Sequence, residues 1–331
     1  MQTNLRRVGI SGLGSFLPEK VVTNVDLSKY IDTSDEWITQ RTGIRQRHFA
    51  SDEETPADMA VAASRQALER SGLPPEEVDC IILTSTVCDH HVPITACLVQ
   101  DRLGIPPGRA GGYDLNAACS GFTFGLGTAY HYVAMGTYDN VLVIGSERVS
   151  SILDEHDRSS YILFGDGAGA AVVRPLEDAG RGEILSCSMK LKGDYDVTYV
   201  EAGGAARPCT PERVAERKHK LVLHGRDIFK FAVRSFAELV RDALEPYGRE
   251  ELGMVLPHQV NRRIVEAAME KLDIPMDKVF LNIDKYGNTG SASVPIAMEE
   301  ADRLEKLPAG KLVPIVAFGG GLTYGHVLCR W

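Results

Sequence analysis

The chain has 331 residues, of which 44% are hydrophobic and 24% are charged, and its formal net charge is −9. This composition is typical of an ordinary globular protein with roughly two domain-sized units. The acidic balance argues against a nucleic-acid partner, which would usually need a basic face.

The first apolar run, Val8-Gly9-Ile10, predicts a strand, and Gly12-Leu13-Gly14 follows it. A dinucleotide-binding turn needs a third glycine and a helix directly after it. The third glycine is absent, and Pro18 falls where that helix should run. Further along, the cluster Cys88-x-His90-His91 offers soft ligands, but no fourth ligand stands at a recognisable spacing. We therefore expect neither a nucleotide cofactor nor a metal ion.

Later apolar runs predict further strands, in chain order at residues 78–84, 141–144, 170–173, 255–256, 313–317 and 327–328. Helical patterns separate many of these runs. Such alternation predicts an α/β protein whose sheets are substantially parallel and covered on both faces.

An uncharged segment of small and apolar residues, 115–138, carries Cys119 near its start. The residues before Cys119 indicate the end of a strand, and those after it indicate a helix that is apolar on nearly every face and therefore buried. Unpaired N–H groups at the start of a helix stabilise a thiolate and lower the pKa of the thiol. The pattern favours an activated sulfur nucleophile, although most buried cysteines are simply small hydrophobes.

The same segment is long enough to cross a bilayer, but Asn116, Ser120, His131 and its glycines favour burial inside protein. The first eight residues lack the apolar core of a signal peptide. The seven cysteines have no CxxC spacing, which suits a reducing compartment. We therefore expect a cytoplasmic protein with no membrane partner.

Two parts of the chain repeat one design. A helix, a glycine and an apolar strand occur at residues 59–83 and again at residues 231–256. Leu103-Gly104-Ile105-Pro106 matches Leu272-Asp273-Ile274-Pro275, and Cys119 and Asn288 follow these two prolines at equal distances. A repeat this long predicts a duplicated domain, with halves 1–178 and 179–331. Packed about a pseudo-twofold axis, the halves would bring Cys119 and Asn288 face to face.

His258 follows a strand of the second half, and Asn288 lies in a turn that leads into a helix. Alone, His258 would more often be structural, and Asn288 would more often be a helix cap. Together with Cys119 they suggest thiolate attack assisted by two hydrogen-bond donors. Such donors, aimed at one carbonyl oxygen, stabilise an enolate without a metal.

Six motifs, in this order, resemble those of the ketoacyl-acyl-carrier-protein synthase III family of the thiolase superfamily: Asp35-Glu36-Trp37-Ile38-x-x-Arg41-Thr42-Gly43-Ile44-Arg45, Asn116-Ala117-Ala118-Cys119-Ser120-Gly121-Phe122, Phe164-Gly165-Asp166-Gly167-Ala168-Gly169-Ala170, Pro257-His258-Gln259-x-Asn261, Tyr286-Gly287-Asn288-Thr289 and Phe318-Gly319-Gly320-Gly321-x-Thr323-x-Gly325. The resemblance covers nearly the whole chain. It implies the thiolase fold, with duplicated halves forming a five-layered α/β/α/β/α sandwich, and a homodimer.

The resemblance also implies a reaction, decarboxylative condensation of an acyl-CoA primer with malonyl-acyl-carrier protein, which starts fatty-acid synthesis. Cys119 would take the acyl group, and His258 and Asn288 would hold the malonyl thioester carbonyl as it becomes an enolate. The backbone N–H groups of Cys119 and Gly320 would form the oxyanion hole. Coenzyme A thioesters would be substrates, with no further cofactor.

Further site residues are implied by matching motif positions. They are Trp37 and Arg158, which would sandwich the adenine of coenzyme A, Arg41 at its phosphates, Gly225 and Asn261 along the pantetheine channel, and Arg263 at the acidic carrier protein. The sequence departs from the family at one place. At the position of Val92, directly before Pro93, members often carry a bulky aromatic residue. That aromatic side chain caps the acyl pocket of the partner subunit. Valine there predicts a pocket that accepts longer or branched primers.

Other functions remain open at this point. A specialised secondary-metabolic starter enzyme or acyltransferase of the same fold would use a similar triad. A cysteine thioester hydrolase would use Cys119 and His258 with Asn288 orienting the imidazole. A non-catalytic partner subunit would have no need of the intact triad.

Overall fold

The computed structural model describes residues 5–331, with the side chains of residues 226 and 227 left out, as a mixed α/β fold. The strands are β1 Val8–Phe16, β2 Val21–Thr23, β3 Gln46–His48, β4 Cys80–Thr84, β5 Gly111–Leu115, β6 Val141–Glu147, β7 Gly167–Pro175, β8 Glu183–Asp194, β9 Thr198–Val200, β10 Leu221–Leu223, β11 Leu256–Pro257, β12 Leu312–Gly319 and β13 Gly321–Arg330. The α-helices are α1 Asn24–Leu27, α2 Asp35–Thr42, α3 Pro56–Ser71, α4 Thr95–Leu103, α5 Gly121–Ala134, α6 Arg158–Tyr161, α7 Leu176–Ala179, α8 Pro211–Ala215, α9 Gly225–Leu244, α10 Arg262–Glu270, α11 Ile283–Tyr286 and α12 Ser293–Arg303.

One large sheet has the strand order β11-β12-β13-β8-β1-β7-β6-β4-β5. Its first four strands come from the C-terminal half of the chain, and the other five come from the N-terminal half. The strand pairing between β1 and β8 is limited to Val8–Ile184, so the sheet divides there into two parts. The smaller sheets, β2–β3 and β9–β10, lie outside it.

The prediction of substantially parallel sheets is wrong. Within the described chain, only the pairs β4–β5, β4–β6 and β11–β12 are parallel, whereas β1, β7, β8 and β13 pair with their neighbours in antiparallel fashion. The apolar runs located most of these strands correctly. Their composition carried no information on direction, because a strand buried on both faces has the same pattern in either kind of sheet.

The predicted five-layered sandwich is confirmed. Helices α3 and α4 pack on the outer face of the N-terminal strands, and α9 packs on the outer face of the C-terminal strands with α10 against it. Helices α5 and α12 form the middle layer, and one hydrophobic core joins them to strands of both halves.

The helices of the middle layer are largely buried. Helix α5 has no charged residue, and Phe122 and Leu126 are completely buried, as the apolar pattern predicted. Val294 and Met298 of α12 join the same core. Burying each such side chain stabilises the fold by about 1.5–3 kcal/mol. In the part of the chain that the structure describes, no helix combines the length and the apolar character needed to cross a membrane.

Strand β1 continues through Gly12 and Gly14 with an irregularity in its pairing between Ile10 and Gly12, so the rejection of a dinucleotide-binding turn is confirmed. A side chain at either glycine would collide with the backbone of α3, at the carbonyls of Ala67 and Ala63. These glycines therefore allow close packing of a helix on the sheet. Helix α3 itself begins at a reciprocal capping box in which the side chains of Thr55 and Asp58 each accept from the other's backbone N–H.

Candidate active site

Cys119, His258 and Asn288 line one cavity of about 200 Å³. Its walls are largely apolar and include Val149, Ile152, Leu221, Leu223, Phe318 and Leu322. Gly319, the last residue of β12, and Gly320, between β12 and β13, lie on the same cavity. A nucleophile from the N-terminal half thus shares an apolar chamber with an imidazole and an amide from the C-terminal half.

The turn between β5 and α5 holds Cys119 two residues before the helix begins. Ala118 adopts a φ of +49°, which bends the chain sharply ahead of the cysteine. The Ser120 hydroxyl donates to the Thr323 carbonyl at 3.1 Å, and the Thr323 hydroxyl donates to the Ala117 carbonyl at 2.7 Å. Strand β13 of the other half therefore fixes the position of the nucleophile.

Gly319 makes this close approach possible. A Cβ atom at Gly319 would lie 2.6 Å from the backbone nitrogen of Cys119. Any side chain would therefore push the end of β12 away from the nucleophile turn. The glycine run at the end of β12 is needed for packing at the active site, and it forms a close-packed turn between two strands.

The sequence-based expectation of a lowered pKa for the Cys119 thiol is wrong. Burial raises the pKa of Cys119 to about 12, with the nearby Glu147 carboxyl acting in the same direction. Helix α5 starts two residues beyond the thiol, and the apolar chamber removes the water that would solvate a thiolate. At neutral pH the resting nucleophile is the neutral thiol.

His258 directly follows the short strand β11, and its backbone N–H donates to the Val316 carbonyl of β12 at 2.8 Å. Its Nδ1 atom lies 2.5 Å from the Ser293 hydroxyl oxygen, and its ring meets Phe318 edge to face at 5.9 Å. Burial lowers the pKa of His258 to about 3, so the ring is neutral at neutral pH. A neutral imidazole can donate from one nitrogen while it accepts at the other.

Ser293, the first residue of α12, is the hydrogen-bond partner of Nδ1 of His258. The Ser293 oxygen accepts from the Gln259 N–H at 3.4 Å, and its hydroxyl can donate to Nδ1 of His258. With Nδ1 as acceptor, Nε2 carries the proton and becomes a donor. The sequence placed Ser293 only at the end of a glycine-rich turn and gave no sign of this contact.

Asn288 is held by the N-terminal half of the chain. Its N–H donates to the Leu163 carbonyl at 2.8 Å, and its carbonyl accepts from the Gly165 N–H at 2.9 Å. The side-chain Oδ1 accepts from the Gly290 N–H at 2.9 Å. Because Oδ1 is used in this way, Nδ2 is the end of the amide that remains available as a donor.

Glu147, at the end of β6, is a completely buried carboxyl group that sequence reasoning missed. It accepts from the Thr86 N–H at 3.1 Å and from the Ser291 hydroxyl at 2.9 Å. It therefore joins a cavity-lining loop of the N-terminal half to the turn that carries Asn288. Burial raises the pKa of Glu147.

The three residues predicted to contact coenzyme A lie together, outside the cavity that the triad lines: Trp37, Arg41 and Arg158. The guanidinium carbon of Arg41 is 4.6 Å from the centre of the Trp37 ring, and that of Arg158 is 4.7 Å from it. A base stacked between Trp37 and Arg158 needs about 3.5 Å on each side, roughly 7 Å in total. Arg158 therefore has to move away from Trp37 before an adenine can enter.

The other predicted site residues are more scattered. Asn261 caps α10 and donates to the Arg41 carbonyl at 3.1 Å, whereas Gly225 is the exposed first residue of α9. Neither is among the residues that line the triad cavity. Arg263 is exposed on α10, in a groove of about 390 Å³ that Arg45 and other residues share. Val92 is 86% exposed and also lies outside the cavity of its own chain.

Comparison with protein families gives two matches. The family described as 3-oxoacyl-[acyl-carrier-protein (ACP)] synthase III matches residues 113–193, and its C-terminal family matches residues 245–331. These segments carry Cys119 and the pair His258 and Asn288, respectively.

Individual relatives match over almost the whole chain. A beta-ketoacyl-[acyl-carrier-protein] synthase III of Desulfitobacterium hafniense is 44% identical over 327 residues, which are 98% of each chain. The crystal structure of 3-oxoacyl-[acyl-carrier-protein] synthase III from Aquifex aeolicus has a TM-score of 0.89 at 44% identity, covering 98% of this chain and 100% of that one. The priming beta-ketosynthase of the R1128 polyketide pathway has a TM-score of 0.89 at 34% identity, covering 99% of this chain and 98% of that one.

We predict that alkylation of Cys119 by iodoacetamide keeps accelerating with pH, about tenfold per unit from pH 7 to beyond pH 9, because the thiolate is the reactive form. Peptide mass spectrometry after timed quenching measures the rate at Cys119. A short cysteine peptide, with a pKa of about 8.5, is the reference. A rate at Cys119 that levels off below pH 7 would contradict the raised pKa.

Proposed function

The chain belongs to the 3-oxoacyl-[acyl-carrier-protein] synthase III family, and from this membership we propose how its own residues carry out the family's condensation. The reaction joins an acyl group from acyl-CoA to a malonyl-acyl-carrier protein, with loss of CO2. The observation that carries the proposal is the meeting of Cys119, His258 and Asn288 in one apolar cavity.

In the first half-reaction, the Cys119 sulfur attacks the thioester carbonyl of the primer. A bond from carbon to the Cys119 sulfur forms, the bond to the coenzyme A sulfur breaks, and the thiol proton ends on the departing coenzyme A. The N–H groups of Cys119 and Gly320 receive the oxygen as it becomes negative. Because the resting thiol is neutral, attack and proton loss occur together.

In the second half-reaction, the malonyl group loses CO2, and the electron pair of the broken bond moves onto the thioester oxygen. His258 donates to that oxygen from Nε2, and Asn288 donates from Nδ2. The enolate carbon then attacks the acyl group on Cys119 and expels its sulfur, which takes up one proton to restore the thiol. Two neutral donors suit an enolate, because neither has a proton acidic enough to quench its carbon before condensation.

The substrates reach the site from the Trp37 side in this proposal. Trp37 and Arg158 stack on the adenine, Arg41 meets the phosphates, and Gly225 and Asn261 border the pantetheine channel. The malonyl-acyl-carrier protein docks near Arg263, where Arg45 adds positive charge to an otherwise acidic protein, while Arg262 is paired with Glu266. All seven cysteines are free thiols, which is consistent with a reducing, cytoplasmic compartment.

The functional unit in this proposal is a homodimer, and each chain is a duplicated pair of halves, 1–178 and 179–331. The division of the sheet at β1 and β8 supports that boundary, since residue 178 lies between them. Val92 of each subunit caps the acyl pocket of its partner. Its exposure of 86% in the single chain is consistent with that role.

A second candidate function has one observation in its favour. The 34% identity to a priming beta-ketosynthase from a polyketide pathway, over nearly the whole chain, supports a starter enzyme of secondary metabolism. Both functions use the same chemistry at Cys119. They differ in the primer and in the carrier protein that receives it.

We predict that single substitutions affect the two half-reactions differently. Cys119→Ala forms no acyl-enzyme, whereas His258→Ala and Asn288→Ala still acquire an acyl group but release CO2 at least about 100-fold more slowly, because each removes one enolate donor. Intact-protein mass spectrometry and labelled CO2 release measure the two steps. His131→Ala and Asn140→Ala, whose side chains lie outside the cavity lining, are the matched controls. Normal CO2 release by Asn288→Ala would refute its assigned role.

We also predict that four-carbon primers acylate Cys119 faster than acetyl-CoA. Each additional buried methylene contributes about 0.8 kcal/mol, so two of them favour butyryl by roughly tenfold. Acylation rates with acetyl-, butyryl- and isobutyryl-CoA test this. Val92→Phe should restore a preference for acetyl, and Val214→Phe, at another exposed valine, should not. A wild-type enzyme that prefers acetyl would contradict the wider pocket.

A further inference from the structure

Arg47, the central residue of β3, is completely buried. Among the side chains that the structure describes, no carboxylate forms an ion pair with it; its hydrogen-bond acceptors are neutral oxygens. Burial lowers the pKa of Arg47 to about 10, so it remains charged at neutral pH. A buried charge without an opposite charge is costly unless several hydrogen bonds compensate for it. The cost of burying this charge indicates that the guanidinium of Arg47 has a specific structural role.

The guanidinium of Arg47 bonds three oxygens from separate segments. Nη2 donates to the Ile162 carbonyl at 2.7 Å. Nη1 donates to Oδ1 of Asn24 at 2.9 Å and to the Val22 carbonyl at 3.2 Å. Its planar fork thus spans the gap between the residue after α6 and the start of α1.

These partners lead to the two sides of the Trp37–Arg158 contact. Ile162 is the C-cap of α6, the four-residue helix that carries Arg158. The buried Asn24 passes the connection on to α2, which carries Trp37, because its Nδ2 donates to Asp35 at 2.9 Å and to the Ile44 carbonyl at 2.7 Å. Asp35 is the first residue of α2, and Ile44 lies just beyond its end.

We propose that Arg47 is a positioning residue that fixes the backbones of α2 and α6 relative to each other. A purine ring then fits between Trp37 and Arg158 once the Arg158 side chain has moved aside. The inference rests on the proposed function of these two residues as the adenine site. Only the Arg158 side chain then has to move to open its 4.7 Å contact with Trp37, and this movement breaks its hydrogen bond to the Asp32 carbonyl. The backbones of α2 and α6 stay fixed. Lysine cannot replace the fork, because its ammonium is a point donor.

The test compares acetyl-CoA with acetyl-pantetheine, which carries the same thioester but no nucleotide. The second-order rate of Cys119 acylation is measured for each primer by intact-protein mass spectrometry. In Arg47→Lys the rate with acetyl-CoA should fall about tenfold, equivalent to ~1.4 kcal/mol, while the rate with acetyl-pantetheine stays within about twofold of wild type. Damage to the fold or to the cavity would instead lower both rates together.

Two further variants make the result decisive. Asn24→Ala breaks the connection to α2 without touching the Ile162 bond, so it should lower the acetyl-CoA rate selectively even if Arg47→Lys fails to fold. Arg174→Lys changes an arginine that bonds Asn140 at 2.8 Å outside the site, and it should alter neither rate. Equal losses with both primers, or no loss, in Arg47→Lys and Asn24→Ala would overturn the inference.

Trp37→Ala separates this inference from the function on which it rests. It should lower the acetyl-CoA rate and spare the acetyl-pantetheine rate. If it does so while the Arg47 and Asn24 variants do not, only the positioning role of Arg47 fails. If Trp37→Ala affects neither primer selectively, the proposed adenine site fails.

Discussion

The burial of α5 and α12 between the two parts of the sheet is the constraint on which the active site depends. Both helices are packed into a core shared by both halves, so neither can shift without opening that core. Cys119 lies just before α5, and Ser293 begins α12 a few residues after Asn288. The packing that stabilises the fold therefore also sets the distances within the triad.

The nucleophile and the imidazole of the resulting site are uncharged in the resting protein. Burial keeps Cys119 as a thiol and His258 as a neutral ring. During the reaction, negative charge appears on the thioester oxygen of the primer, and the charge of the malonyl carboxylate moves to its thioester oxygen and then to the sulfur that leaves. Fixed neutral dipoles in a dry cavity stabilise such transient charge well, since little reorganisation is needed when it forms. A permanent ion pair of a Cys119 thiolate and a His258 imidazolium would instead suit the cysteine hydrolase considered from the sequence.

The sequence revealed the parts of this site that lie in distinctive motifs, and it missed those that depend on contacts between distant segments. The helix after Cys119 was predictable because its apolar pattern has no charged face. Ser293, Glu147 and Arg47 were not, because each has a partner far away in the chain and nothing in the local pattern distinguishes it from an exposed polar residue. The thiol pKa was predicted with the wrong sign, since helix position can be read from a pattern but desolvation depends on the closed cavity.

A crystal structure of the enzyme acylated at Cys119 tests the central claim most directly. The account predicts that the thioester oxygen lies about 3 Å from the N–H groups of Cys119 and Gly320. It also predicts that Nε2 of His258 and Nδ2 of Asn288 point together into the free space beside the acyl group. An acyl group on another residue, or a His258 and an Asn288 that face away from that space, would contradict it.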